Sequence, residues 1–132
     1  MIWTDHSVIR GPMGGVLYPV CPVPAPRQVR SDKWKPRPMV QKYRAFRDHI
    51  RLLKPRVENG AEIIFYLPMP KSWSKKKKSE MDGQPHRQTP DLDNLAKSFL
   101  DSVFDSDAHF SALCLEKYWA KQGGIEVVNE QG

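Results

Sequence analysis

The sequence predicts a single α/β (α+β) domain, residues 1–132, built as a mixed β-sheet packed by two main helices. Three observations carry this. The length suits one hydrophobic core and leaves little room for a second. Two segments repeat apolar residues at helical spacing, and the run between them, Ala61 to Leu67, is apolar at nearly every position. Twelve prolines and eight glycines require short elements joined by turns, while 39% hydrophobic residues supply a core and exclude a chain disordered throughout.

Val16-Leu17-Tyr18 runs into Pro19, Pro22, Pro24 and Pro26, so a strand there is short or at an edge. Tyr43, Phe46, Ile50 and Leu53 share one face of a helix expected from about Val40 to Lys54 and ended by Pro55. The same geometry turns Arg44, Arg47 and Arg51 outward, toward a ligand or toward water. Ala61–Leu67 is expected as a central strand covered on both faces. Pro68-Met69-Pro70 breaks it. Lys71 to Gln88 then carries Lys71, Lys75, Lys76, Lys77, Lys78 and Arg87 against Glu80 and Asp82, with no pattern that buries a face. The expectation at about 71–89 is a mobile basic loop that orders only on a partner.

Pro90 opens a helix to about Phe104, with Leu92, Leu95, Ala96, Phe99, Leu100 and Val103 on one arc and Asp93, Asn94, Lys97 and Asp101 on the other. Ala112 to Trp119 reads as a strand, Gly123-Gly124 as a turn, and Ile125 to Val128 as its hairpin partner.

Charge narrows the partner. A net +6 and a pI near 9.4 favour a polyanion. Arg27 to Arg47 holds eight basic residues and one acid, interleaved with Trp34 and Tyr43, and makes a candidate polyanion surface. Trp34 and Trp73, set among cations, pack in a core or interface or stack on unpaired bases. No apolar run approaches the roughly 18 to 20 residues of a membrane helix, and the first residues lack the apolar stretch of a signal peptide, so a cytoplasmic protein with no membrane partner is expected. Cys21 and Cys114 lack metal-ligand spacing and read as ordinary thiols. His6, His49, His86 and His109 have no ligand-like spacing either, although His109 lies near Asp107. Gly14-Gly15 stands alone, so no phosphate loop and no nucleotide cofactor is expected.

The informative segment is Pro90-Asp91-Leu92-Asp93-Asn94-Leu95-Ala96-Lys97, with Asp107 beyond it. Residues 91 to 107 hold five acids and one base in an otherwise basic protein. A helix N-terminus favours one or two acids by roughly 0.3 to 1 kcal/mol. Like charges ~4 Å apart at an effective dielectric of about 20 cost on the order of 4 kcal/mol, so a converging cluster requires a cation. An all-oxygen donor set selects a hard divalent ion such as Mg²⁺ or Mn²⁺. A calcium loop is excluded, because Leu95, Ala96 and Ser102 stand where a ligand, a Gly and a Glu are required. Lys97, four residues after Asp93, either pairs with it along the helix or steadies a phosphate. Asp107 contributes only if the chain folds back toward Asp91.

The run from Pro90 to Leu95 followed by Lys97, then Asp101, Asp107 and Lys117, resembles the RusA-type Holliday junction resolvases, crossover junction endodeoxyribonucleases often carried by phages and prophages. Phe65-Tyr66-Leu67-Pro68-Met69-Pro70-Lys71-Ser72-Trp73-Ser74 is similar to a stretch of phage members. The likeness spans roughly Ala61 to Trp119 well and residues 16 to 54 loosely. It implies a homodimeric, Mg²⁺-dependent endonuclease, with Mn²⁺ substituting, that cuts two symmetric strands of a four-way DNA junction in a bacterial or phage-infected cytoplasm. It places the essential carboxylates on Asp91, Asp93 and Asp107 and the catalytic lysine on Lys97. The segment before Asp107 is shorter than in some members, and Ser106 stands where others carry an acid, so the third ligand is Asp105 or Asp107. The Lys75–Lys78 run is not universal in the family; its role in DNA binding, with Lys71, Arg87, Arg44 and Arg47, is read from charge. The competing readings are a non-catalytic nucleic-acid binder whose aspartates merely cap a helix, and a flap or branched-DNA nuclease.

Overall fold

The computed structural model describes residues 9–26, 33–104 and 110–129. β2 (Glu62–Pro68) forms where the apolar run lies, with Ile63, Ile64 and Phe65 wholly buried. A buried backbone needs partners for its N–H and C=O groups along both edges. β2 finds them in β3 (Cys114–Ala120), parallel to it, and in β4 (Gly124–Val128), antiparallel to it. β1 (Val16–Tyr18) pairs antiparallel with β4, giving the order β1-β4-β2-β3. The sheet is mixed, as expected, and the short strand among the prolines lies at its edge.

That order corrects one expectation. Ile125–Val128 is not the hairpin partner of the preceding strand; residues 121–123 carry the chain across the end of β2, and β4 pairs with its far edge. A β3–β4 hairpin would leave one side of the buried central strand without hydrogen bonds.

α1 (Pro38–Leu53) starts on Pro38, where the missing N–H is no loss. It closes on Lys54, whose left-handed backbone (φ 50°) directs its N–H to the Ile50 carbonyl at 3.0 Å, and Pro55 forbids a further turn. Its buried residues are Val40, Tyr43, Phe46 and Ile50. α3 (Leu92–Val103) buries Leu95, Ala96, Phe99 and Leu100, together with Ser98 and Ser102, which the apolar pattern alone misses. Tyr43, Phe46 and Ile50 of α1 and Leu95, Ala96, Phe99 and Leu100 of α3 join Ile63, Phe65, Leu67, Ile125 and Val127 in one core cluster. Those strand residues alternate along β2 and β4, so both helices cover the same face of the sheet. Phe65 and Phe99 meet edge-on across it, centroids 6.3 Å apart.

The opposite face has a polar cover. Glu126, wholly buried, accepts hydrogen bonds from the Met13 N–H (3.0 Å), the Gly15 N–H (2.8 Å) and the Tyr66 hydroxyl (2.6 Å). A Cβ at Gly11 would lie 2.1 Å from the Glu126 carboxyl carbon, so only glycine lets the turn at residues 11–15 close over it.

Residues 71–89, expected as a loop, hold a third helix, α2 (Lys75–Met81). The Ser74 hydroxyl caps it by accepting from the Lys77 N–H at 3.1 Å. No residue of α2 is buried, which matches the absence of an apolar pattern. The cap and the good helix propensity of lysine stand in for packing.

Candidate active site

α3 sets the geometry of the acidic motif. Asp91 is its N-cap, with an extended backbone (φ −69°, ψ 146°) and a carbonyl that accepts from the Leu95 N–H at 3.1 Å. Its carboxylate makes no capping hydrogen bond. Leu95, Ala96, Phe99 and Leu100 face the core, so Asp93 and Lys97 on the opposite arc are exposed and Asn94 half-buried. No ion pair joins Asp93 to Lys97 among the described residues. The two bland roles, cap and helix pair, therefore do not occupy these groups. Asp101 is exposed two turns on, close enough to Tyr43 to help burial push its phenol up, against the pull of Arg47 and Arg51. Asp105, Asp107 and His109 lie outside the described residues.

The chain entering Asp91 is tied to β3. Gly83 donates to the Trp119 carbonyl at 2.9 Å, Trp119 to the Gln84 carbonyl at 2.9 Å, and His86 to the Lys117 carbonyl at 3.0 Å. The Lys117 ammonium donates to the carbonyls of Gln88 (2.5 Å) and Pro90 (2.7 Å). His86 is buried, its ring 4.0 Å from that of Trp119, which in turn meets Trp73 at 4.7 Å; Lys77 sits 4.4 Å over the Trp73 ring. Burial, helped by the Lys117 charge, holds the His86 pKa below its ordinary value. The sequence gives no spacing signal for this stack, because its members meet only through the fold.

The basic residues separate into two groups. Lys71, Lys75, Lys76, Lys77 and Arg87 are exposed and Lys78 half-buried, all on the α2 segment that leads along β3 toward Asp91. Arg44 and Arg47 are half-buried on α1, and the Arg47 Nε is buried with no hydrogen-bond partner, 3.9 Å from Asp48. Among the expected DNA contacts the α2 group is the accessible one. Trp73 packs within the fold, whereas Trp34 is 78% exposed with Lys33 over its ring at 5.2 Å. Arg27, Arg30 and His6 lie outside the described residues.

One further cluster escapes the sequence. Donor atoms of Glu62, Cys114 and Glu116 lie within 4.8 Å of one another, on neighbouring positions of β2 and β3. Burial and a hydrogen bond to Glu116 raise the Glu62 carboxyl above the usual range, and the Tyr118 hydroxyl donates to Glu116 at 2.5 Å.

Among the described residues, no helix is long and apolar enough to cross a membrane. No curated protein and no solved structure matches the chain. A family model does: that of endodeoxyribonuclease RusA matches residues 19–128, spanning β1-edge prolines, both core helices and the whole acidic motif. The match covers most of the chain, which therefore belongs to the RusA endodeoxyribonuclease family, the nucleases that resolve Holliday junctions.

Proposed function

We propose that this protein resolves four-way DNA junctions by divalent-metal-dependent hydrolysis, acting as a homodimer in the cytoplasm of a bacterial or phage-infected cell. Asp91, Asp93 and Asp107 would hold Mg²⁺, with Mn²⁺ able to substitute. The observation that carries the reading is that Asp91 and Asp93, at the head of α3, are committed neither to capping nor to the Lys97 ion pair. Their donor chemistry, carboxylate oxygen only, fits a hard cation. Such an ion, when bound, offsets phosphate charge and makes water acidic enough to attack near neutral pH.

The chain's own groups do the rest. Lys97, exposed one turn beyond Asp93, steadies the negative oxygens of the phosphate under attack. The water oxygen bonds to phosphorus and releases one proton to solvent as the bond to the 3′ oxygen breaks, and that oxygen takes one proton from solvent, leaving a 5′-phosphate and a 3′-hydroxyl. The α2 lysines and Arg87 hold the backbone leading into the site. A twofold dimer presents two such sites to the two equivalent strands of a junction.

The test is cleavage of four-way junction, flap and linear duplex DNA side by side in Mg²⁺, with EDTA added and then titrated out. Paired symmetric nicks in the junction, abolished by EDTA and restored by Mg²⁺, are expected. Preferential cutting of the flap would move the substrate to other branched DNA. No nicking of any substrate would leave a DNA binder and reject the enzyme.

A further inference from the structure

Lys117 lies mid-strand in β3, opposite Phe65 of β2 and so on the helix-covered side of the sheet. Its half-buried ammonium bridges the Gln88 and Pro90 carbonyls at 2.5 and 2.7 Å, while its own carbonyl accepts from the His86 N–H at 3.0 Å. One residue thus grips residues 86–90 through both backbone and side chain. We propose that Lys117 is a positioning residue of the active site, fixing Asp91 for metal binding; this rests on the reading of Asp91 as a ligand.

The two aspartates are held differently. Asp93 is inside α3, and packing of Leu95, Ala96 and Phe99 fixes its place. Asp91 is outside the helical conformation, its carboxylate makes no capping bond, and its tie to the helix is its carbonyl bond to the Leu95 N–H at 3.1 Å. Where its carboxylate points is therefore set by the path of residues 88–90, which Lys117 holds. The choice of lysine follows from charge. Two carbonyl oxygens converging just before two carboxylates concentrate negative potential, and an ammonium satisfies both while countering it. Among the described residues no ion pair ties Lys117 to an aspartate, so it leaves the carboxylate oxygens for the metal. This separates it from Lys97, which is exposed on α3.

The experiment compares the full-length wild type with Lys117→Met and Lys117→Arg. In the metal-free protein, amide exchange at Leu95 should quicken about tenfold in Lys117→Met, with Phe99 on the same helix unchanged. The Kd for Mn²⁺, read by electron paramagnetic resonance, should rise about tenfold or more, and kcat on the junction should fall similarly at unchanged KM. Lys117→Arg, which keeps charge and donors, should recover most of each loss. If Lys117→Met does not melt cooperatively, Lys117→Gln carries the same comparison. Leu95 exchange and Mn²⁺ affinity equal to wild type would overturn the proposal alone. A wild type that takes up no Mn²⁺ would instead overturn the metal reading, and this role with it.

Discussion

His86 shows how a residue without ligand-like spacing acquires a function in the fold. Its imidazole, 5% exposed and stacked on Trp119, is kept neutral by burial first and by the Lys117 charge second, so its folded pKa lies below the ordinary 6.5. The unfolded chain takes up the proton first as pH falls, so this contribution to stability is complete above about pH 6.5 and is lost progressively below it. The urea midpoint should therefore decline as pH falls below about 6.5, and His86→Phe, which keeps the stack, should flatten that decline. An unchanged profile would place the pH dependence elsewhere. At this scale the sequence was partly legible. The D-x-D-N-x-x-K motif is local, so its exposed face follows from helix geometry alone. His86 with Trp119, Lys117 with Pro90, and Glu126 under the turn at residues 11–15 are contacts between distant segments, and no local pattern encodes them.

Among the elements, α1 and α3 were legible because each carries an apolar stripe with a proline at or just before its start. α2 was not, because a helix that buries nothing has no stripe; its one signal is Ser74 before a run of good helix formers. Gly123-Gly124 has the composition of a tight turn and so points to a β3–β4 hairpin, yet the hydrogen-bonding needs of β2 decide the pairing. The exposure of α2 makes a quantitative claim. If about six cations of this segment meet phosphates, junction affinity should fall by roughly 10³ between about 50 and 200 mM salt. Replacing Lys75, Lys76, Lys77 and Lys78 with Ala preserves helix propensity and should lower that slope by up to about 4. A slope left unchanged in a binding titration would make α2 a solvated surface.

For the whole molecule, the fold resolves a contradiction in composition. A protein of net charge +6 gathers acids at the head of one helix. The sheet and α1 fix that helix through an apolar core, the β3 edge brings the basic segment alongside, and the acids stay uncommitted. Under the proposed function, such an arrangement would attract a polyanion and leave oxygen ligands for a cation where it docks. The most direct measurement is Asp93→Asn assayed on a four-way junction in Mg²⁺, with a gel shift of the same protein without metal. Cleavage should fall by about 10³-fold or more while junction binding stays at the wild-type level; undiminished turnover would contradict the assignment of these carboxylates to the metal.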